Sequence, residues 1–213
     1  MIKVIPIFTQ EYKSNTYILI AEDSPRAIII DPTIFSMTEI NNYLLRNALS
    51  IDYVIPTHGH FDHIEGIGKL SDMHQFDIIA NQECCVAFQD PKKNYSFFFQ
   101  SKNLSLRSPI SIIDEDIHQF HWHNTEIHII KTPGHSPCSV CIVVDNSMLF
   151  SGDTILLKYS PFSKFPDGDA KLLKTSIKKI YSTFPHSTLV YPGHGDTFLL
   201  GSIGSKFNFL SDL

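Results

Sequence analysis

The sequence predicts a single α/β domain in which strands and helices alternate along the chain. Short runs rich in β-branched residues end at Pro, Gly or Asp, which is typical of buried strands. Segments with the apolar spacing of amphipathic helices lie between these runs. No stretch has the composition of a linker. The alternation favours a layered α/β arrangement, and the domain is expected to span residues 1–213.

Short apolar runs supply the predicted strands. Each run has the length of a strand, is bounded by turn-forming residues and ends in a polar loop. In chain order they cover residues 26–31, 51–57, 126–132, 139–145, 148–153 and 188–194. We expect these strands to be buried.

Residues 37–49 and 169–184 are predicted as amphipathic helices. Apolar residues recur in both segments at the spacing that places them on one stripe of a helix. The stripes consist of Ile40, Tyr43, Leu44 and Leu45 or Ala48 in the first segment and of Leu172, Leu173, Ile177 and Ile180 in the second. Asp169 is a suitable N-cap for the second helix, and Pro185 follows its end.

Residues 88–110 form one irregular section that is rich in aromatic side chains. Its composition differs from that of a disordered linker. Two interpretations stay open: an ordered loop or short helices near a binding surface, and a surface insertion folded onto the core.

The charge and the hydropathy exclude several classes of protein. A formal net charge of −5 provides no basic field for a phosphate backbone, so no nucleic-acid partner is expected. The first residues make a poor signal peptide, and no apolar run reaches the length of a membrane span. A cytoplasmic protein with no membrane association is therefore expected.

The cysteines are predicted to be packed thiols. Cys84, Cys85, Cys138 and Cys141 provide no disulfide framework for a chain of 213 residues. Cys138 and Cys141 form a CxxC pair within a predicted strand, whereas a redox-active CxxC opens a helix.

Side chains of types that can bind metal ions follow four of the predicted strands. These side chains are His58, His60, Asp62, His63, His135, Asp153 and His194. Loops at one end of the strands of such a domain converge on a site. Imidazole and carboxylate suit zinc, manganese and iron. One catalytic ion uses about three protein ligands, so seven are more than one ion needs. They suit two ions about 3.5–4 Å apart that share a carboxylate.

The remaining histidines show no such relation to strand ends. His121 and His123 flank Trp122 without a ligand at a nearby strand end, so we assign this segment and His128 to exposed or half-buried strand. His74, His118 and His186 are predicted to lie on the surface or to be satisfied by hydrogen bonds.

The ligand pattern resembles that of the metallo-β-lactamase superfamily, whose hallmark is HxHxDH followed by a distant His, Asp and His. The likeness covers nearly the whole chain and includes NTY at 15–17, IIIDP at 28–32, TPGHSP at 132–137, SGDT at 151–154 and PGHGD at 192–196. Within the superfamily the chain looks most like the short glyoxalase II-like hydrolases, which also carry a segment similar to DPKKNYS at 90–96.

This resemblance implies an αββα sandwich, in which two mixed β-sheets pack face to face with helices outside and a dinuclear site lies at one sheet edge. It also implies two divalent ions, zinc or alternatively iron or manganese. By their place in the motif, His58, His60 and His135 would bind the first ion, Asp62, His63 and His194 the second, and Asp153 would bridge them.

The implied activity is the hydrolysis of a small-molecule substrate, a thioester or ester, by a metal-bridging hydroxide. A metal lowers the pKa of bound water to about 7 and polarises the carbonyl oxygen. Asp62 would orient the hydroxide and carry a proton. A bridging Asp153 differs from the residue general in zinc β-lactamases and argues against antibiotic hydrolysis. Lys164 resembles the glutathione-contacting lysine of glyoxalase II, which makes a hydroxyacylglutathione-type substrate a candidate, although Pro166 stands where an aromatic residue is expected.

Two other functions are compatible with the same ligands. A mononuclear iron persulfide dioxygenase on the same fold keeps these residues, so the motif does not separate it from a hydrolase. A non-catalytic metal-binding protein is the third alternative. The oligomeric state is left open by the sequence.

Overall fold

The computed structural model describes residues 1–22, 24–99, 110–157, 163–207 and 210. The chain divides into two compact units, Met1–Asp114 (unit 1) and Glu115–Leu213 (unit 2). Over the described residues, each unit contains one six-stranded mixed sheet. The expectation of a single domain stays a prediction.

The sheet of unit 1 is antiparallel at one end and parallel at the other. Its strands are β1 (Ile2–Phe8), β2 (Asn15–Ala21), β3 (Arg26–Ile30), β4 (Ser50–Ile55), β5 (Asp77–Ala80) and β6 (Ile110–Ile112), which lie in this order across the sheet. The pairs β1–β2 and β2–β3 are antiparallel, and β3 to β6 are parallel. Ile30 pairs with Ile55, so β3 and β4 deliver the residues that follow them to the same edge.

Among the described residues three α-helices accompany this sheet, and only the first was predicted from the sequence. They are α1 (Met37–Arg46), α2 (Phe61–Met73) and α3 (Gln82–Gln89). Helix α1 buries Ile40 and Leu44, but Leu45 is exposed and Ala48 lies beyond the helix end with a φ of 50°. The sequence prediction assigned the ligands at 58–63 to a loop. This was wrong for Asp62 and His63, which lie in the first turn of α2.

The six strands of the unit 2 sheet lie side by side in their chain order. The strands are β7 (Ile117–Trp122), β8 (Thr125–Lys131), β9 (Val140–Val144), β10 (Met148–Gly152), β11 (Leu189–Pro192) and β12 (Phe198–Leu199). The pairs β8–β9 and β9–β10 are antiparallel, and β10–β11 is parallel. Strands β8, β10 and β11 therefore run in one direction, and their carboxyl ends share an edge.

Helix α4 (Ala170–Thr183) covers the core of unit 2. Leu173, Ile177 and Ile180 belong to the same buried cluster as residues of β10 and β11. Leu172, predicted on the same stripe, is instead exposed. Asp169 is the N-cap, as predicted, and accepts hydrogen bonds from the amides of Lys171 and Leu172. These bonds, with that from Leu172 foremost, lower the pKa of Asp169.

The six predicted strands are all present as β3, β4 and β8 to β11. The segment around Trp122 is half-buried strand up to that residue, whereas His123 lies in the turn at a φ of 53°. Cys84, Cys85, Cys138 and Cys141 are buried free thiols, as predicted, although Cys138 precedes β9. None of the helices found among the described residues could span a membrane.

In the irregular section, residues 88–89 and 96–99 are helical, and residues 91–95 form turns and bends between them. Helix α3 ends at Gln89, and a 3₁₀ helix covers Ser96–Phe99. The rest of the section up to β6, residues 100–109, lies outside the described residues.

Candidate metal centre

The candidate ligands of unit 1 lie where β4 leads into α2. His58, His60 and His63 are 1%, 5% and 0% exposed, and the Asp62 side chain is 16% exposed. Ligand atoms lie within 4.8 Å of one another in the pairs His58–His60, His58–His63 and Asp62–His63. Asp62 lies in the first turn of α2, where the partial positive charge of the helix terminus stabilises a carboxylate. The fold thus collects four donors at one point of unit 1.

A buried carboxylate, Asp31, holds two of these histidines in place. It follows β3 directly, with a φ of 50°, and is 1% exposed. Its Oδ1 accepts a hydrogen bond from the Thr57 amide at 2.6 Å, and its Oδ2 accepts one from the Thr57 hydroxyl at 2.7 Å. His63 Nδ1 lies 3.0 Å from the same Oδ2. The parallel pairing of β3 and β4 makes these contacts possible because both strands end at the same edge.

These hydrogen bonds assign the ring tautomers. An ionised carboxylate only accepts, so His63 Nδ1 donates to Asp31 and the lone pair of His63 lies on Nε2. The Thr57 hydroxyl uses its proton on Asp31 and therefore accepts from His58 Nδ1, which lies 3.1 Å away. His58 and His63 both present Nε2 as the metal-binding nitrogen.

Gly66 allows α2 to approach the segment after Asp31. Its amide donates to the Pro32 carbonyl at 2.9 Å. A Cβ at Gly66 would lie 2.6 Å from Pro32 O and 2.7 Å from Thr33 O, both backbone atoms. Any larger residue would push the helix away and separate His63 from Asp31.

The DPKKNYS segment completes the start of α2. The Asn94 carbonyl accepts from the Phe61 amide at 2.9 Å, which satisfies a helix-terminal N–H that lacks an intrahelical partner. Tyr95 has a φ of 64°, which is rare for a bulky residue. Its buried ring contacts His60 edge-on, with centroids 5.0 Å apart. This backbone conformation packs an aromatic ring against a candidate ligand.

The ligands of unit 2 follow the three strands that share a direction. His135, Asp153 and His194 follow β8, β10 and β11. Asp153 Oδ2 lies 3.6 Å from His135 Nε2 and 3.4 Å from His194 Nε2. The carboxylate oxygen therefore lies between the two imidazoles.

The loop that carries His135 is held by a close backbone approach. Gly134 has a φ of 136°, and its carbonyl accepts from the Asp169 amide at 2.8 Å. A Cβ at Gly134 would lie 2.1 Å from the Leu173 amide nitrogen. Glycine is required here because the turn packs directly on the first turn of α4.

The donor spacing within each unit fits a tetrahedral metal ion. Two ligand atoms about 2.0–2.2 Å from one ion at the tetrahedral angle lie roughly 3.3–3.6 Å apart. The Asp62–His63 pair is separated by 3.5 Å and the pairs around Asp153 by 3.4 and 3.6 Å. These separations are longer than good hydrogen bonds. Imidazole and carboxylate donors at this spacing suit zinc, manganese or iron.

Lys164, the predicted substrate residue, is exposed. Its neighbour Phe165 lies edge-on to His135, with ring centroids 6.1 Å apart. The role of Lys164 stays a prediction.

Sequence reasoning missed Asp31, Thr57 and Tyr95 as parts of the site. Asp31 carried a usable signal, because it ends a predicted strand in the same way as the ligands that were recognised. Thr57 and Tyr95 carried none, since their roles depend on contacts with Asp31 and His60.

Comparison with known proteins places residues 10–194 in the metallo-β-lactamase superfamily, whose sequence model they match. The chain is 30% identical over 192 residues to a probable metallo-hydrolase of Methanocaldococcus jannaschii, covering 87% of this chain and 89% of that protein. It is 27% identical over 180 residues to the mitochondrial persulfide dioxygenase ETHE1 of Homo sapiens, covering 84% of this chain and 63% of that protein.

A crystal structure of the BLEG-1 B3 metallo-β-lactamase is similar over 98% of this chain and 100% of that chain, with a TM-score of 0.87 and 26% identity. The predicted fold, with two mixed sheets flanked by helices, is confirmed by this likeness and by the strand pairings.

Proposed function

Because the chain belongs to the metallo-β-lactamase superfamily, we propose that it is a metal-dependent hydrolase that cleaves a thioester or an ester. The observation that carries this proposal is the position of Asp153, whose Oδ2 lies 3.6 Å from His135 Nε2 and 3.4 Å from His194 Nε2. A carboxylate between two ligands assigned to different ions is suited to bridge a pair of metals. The similar metallo-hydrolase of Methanocaldococcus jannaschii agrees with this reaction class.

The proposed centre uses seven side chains for two divalent ions, with zinc as the first candidate and iron or manganese as alternatives. His58, His60 and His135 would hold the first ion, Asp62, His63 and His194 would hold the second, and Asp153 would be shared. Asp31 accepts the Nδ1 proton of His63, and Thr57 accepts that of His58. Nε2 is therefore the metal-binding nitrogen of both rings. Ligands fixed in this way bind metal more tightly because less side-chain freedom is lost.

In the proposed reaction, these side chains would hold divalent ions, which when bound would supply activated water and polarise the substrate carbonyl. Asp62 orients the attacking water and accepts its proton, which the carboxylate can pass to the departing thiolate or alkoxide. His63, which Asp31 holds in place, has its Nε2 atom 3.5 Å from Asp62 Oδ2. The histidines His58, His60 and His63 are buried, so little water competes with the substrate at this end of the site.

The function is tested by metal analysis of the purified protein combined with a substrate panel. The panel contains hydroxyacylglutathione, simple acyl thioesters, a lactone, glutathione persulfide and a β-lactam. Two equivalents of metal and cleavage of a thioester or ester are expected. Cleavage of the β-lactam alone would contradict the proposal, and that substrate is included because of the similarity to BLEG-1. Faster turnover of hydroxyacylglutathione than of simple thioesters would support a role for Lys164.

Persulfide oxidation is the second candidate, because the human persulfide dioxygenase is 27% identical over 84% of this chain. This reaction consumes oxygen and needs iron, whereas hydrolysis does neither. Oxygen uptake with glutathione persulfide, together with one iron per chain and no thioester cleavage, would establish this alternative over the hydrolase.

Replacing Asp153 with alanine is expected to lower the bound metal from two equivalents towards one or none. The change removes the carboxylate oxygen that lies between His135 and His194. Elemental analysis after dialysis measures the result. Asp145→Ala is a suitable control, because Asp145 follows β9 at the opposite end of the sheet and is exposed. If the Asp153→Ala variant still bound two equivalents of metal, Asp153 would not bridge the ions.

A further inference from the structure

A contiguous group of aromatic rings lies partly exposed on unit 1. Tyr12 contacts Phe35 and Phe61 edge-on, with centroids 4.9 and 5.0 Å apart, and Phe61 stacks on Phe99 at 4.5 Å. Phe35 is 43% exposed and Phe99 is 57% exposed. We call Tyr12, Phe35, Phe61 and Phe99 the aromatic platform. Its members come from four separate segments, so only the folded chain brings them together.

The platform is continuous with the metal ligands. Phe61 lies between His60 and Asp62 in the chain and is 8% exposed, so the ring that anchors the platform belongs to the same turn as two ligands. A second line of rings starts at His60, where Tyr95 contacts the imidazole and stacks with Phe98 at 6.3 Å. Phe98 is 68% exposed.

The charges of two α2 carboxylates act on the Tyr12 hydroxyl. Burial, followed by the negative charges of Glu65 and Asp62, raises the pKa of Tyr12 above its ordinary value of 10.0. The phenol is therefore neutral near pH 7. The platform offers an uncharged, largely apolar surface that ends at the catalytic carboxylate.

Contiguous exposed aromatic rings distinguish this surface from scattered apolar residues. Single exposed apolar side chains are normal, whereas joined patches mark binding sites. A ligand site typically combines apolar and aromatic walls with a few polar groups that fix the orientation. Here the polar groups are the ligands at one end of the platform, so the fitting occupant has an apolar part attached to a group that reaches the metal centre.

We propose that the aromatic platform binds the acyl group of the substrate and that the enzyme prefers thioesters or esters of long-chain or aromatic acids. This inference rests on the proposed hydrolase function. The C–S bond of the thioester breaks, water supplies a hydroxyl group to the acyl carbon, and the remaining proton of the water goes to the departing thiolate. The acyl chain lies along Phe99 and Phe35 while its carbonyl carbon faces Asp62.

The first test is a series of straight-chain acyl thioesters from acetyl to octanoyl with the metal-loaded protein. Each methylene that moves from water onto the rings should raise kcat/KM by about twofold to fourfold. Phe99→Ser should lower the octanoyl-to-acetyl ratio of kcat/KM by about tenfold. Leu45→Ser, which alters a residue 76% exposed at the far end of α1, should leave the ratio and the rates unchanged.

The second test measures binding without turnover. Saturation-transfer NMR with 1-octanol, a neutral alkyl probe that has no acyl bond to cleave, should show transfer to its methyl protons in the wild type and in Leu45→Ser. The transfer should fall by at least about half in Phe99→Ser. Metal content in Phe99→Ser, determined in parallel, should equal that of the wild type.

The outcomes separate the platform from the hydrolase function. Cleavage of all thioesters with no dependence on chain length, and equal octanol binding in Phe99→Ser, would overturn the platform while the hydrolase function stands. No cleavage of any thioester or ester, together with octanol binding that Phe99→Ser weakens, would overturn the function and support an apolar binding surface.

Discussion

Replacing Asp62 with asparagine is expected to lower kcat/KM for the preferred thioester or ester by about a thousandfold. Asp62 is proposed both as a ligand and as the acceptor of the water proton, and an amide cannot accept a proton at neutral pH and is a weaker, uncharged ligand. The fold should survive because asparagine has nearly the same size as aspartate and the Asp62 side chain is 16% exposed in the first turn of α2. Steady-state kinetics and circular dichroism measure the two quantities. His58→Ala should have a comparable effect on turnover.

Asp72→Asn provides a matched control for this experiment. Asp72 lies on the same helix as Asp62 and is exposed near the other end. Ten residues of α-helix separate the two positions, which corresponds to about 15 Å along the axis. We expect wild-type kinetics in Asp72→Asn. A thioester rate in Asp62→Asn within a factor of two of the wild-type rate would rule out the proposed role of Asp62.

Replacing Asp31 is expected to lower the free energy of unfolding more than replacing an exposed carboxylate does. Asp31→Ala leaves the Thr57 amide, the Thr57 hydroxyl and His63 Nδ1 without their acceptor in a site that is 1% exposed. Leaving a buried hydrogen-bond donor without its acceptor costs about 1–3 kcal/mol for each group. Urea unfolding of the metal-free protein measures this cost independently of metal binding.

Asp52→Ala is the control for this stability measurement. Asp52 accepts a hydrogen bond from Arg26 Nε at 2.7 Å, but this pair is partly exposed on the same unit. Such pairs contribute about 0–1 kcal/mol to stability. Similar losses of stability in Asp31→Ala and Asp52→Ala would contradict the buried network.

Asp31→Asn separates the stability role of Asp31 from its orienting role. Asparagine keeps the size of the side chain but removes the negative charge that fixes the tautomer of His63. We expect metal affinity to fall by about 10–100-fold, as is usual when an outer-shell carboxylate is changed. Competition with a chromogenic chelator measures the affinity. An affinity equal to that of the wild type would mean that His63 is oriented by other contacts.

Much of the fold was predictable because its strands are bounded by strong local signals. The runs that became β3, β4 and β8 to β11 have β-branched cores and end at Pro, Gly or Asp, which act within a few residues of sequence. Helix α4 was predictable for the same reason, with an N-cap at Asp169 and a clear stripe. Helix α2 was missed because its first turn carries the polar ligands and two glycines interrupt its apolar pattern.

The sequence by itself determined the chemical character of the centre. Histidine and aspartate at the ends of strands indicate a metal site because only a few side chains can bind such an ion, and strand ends are where rigid elements present them. The family follows from the same residues, and the match over residues 10–194 confirms it. The cytoplasmic location and the number and identity of the ions stay predictions.

The tertiary structure alone decided which ring nitrogen of His58 and His63 carries the proton and which aromatic rings meet. The tautomers of His58 and His63 depend on Asp31, which is 32 residues from His63 in the chain. The aromatic platform joins Phe61 to Tyr12 and Phe99 across comparable distances in sequence. Local signals cannot specify such contacts, because the pairing of β3 with β4 and the approach of α2 at Gly66 bring these residues together only in the folded chain.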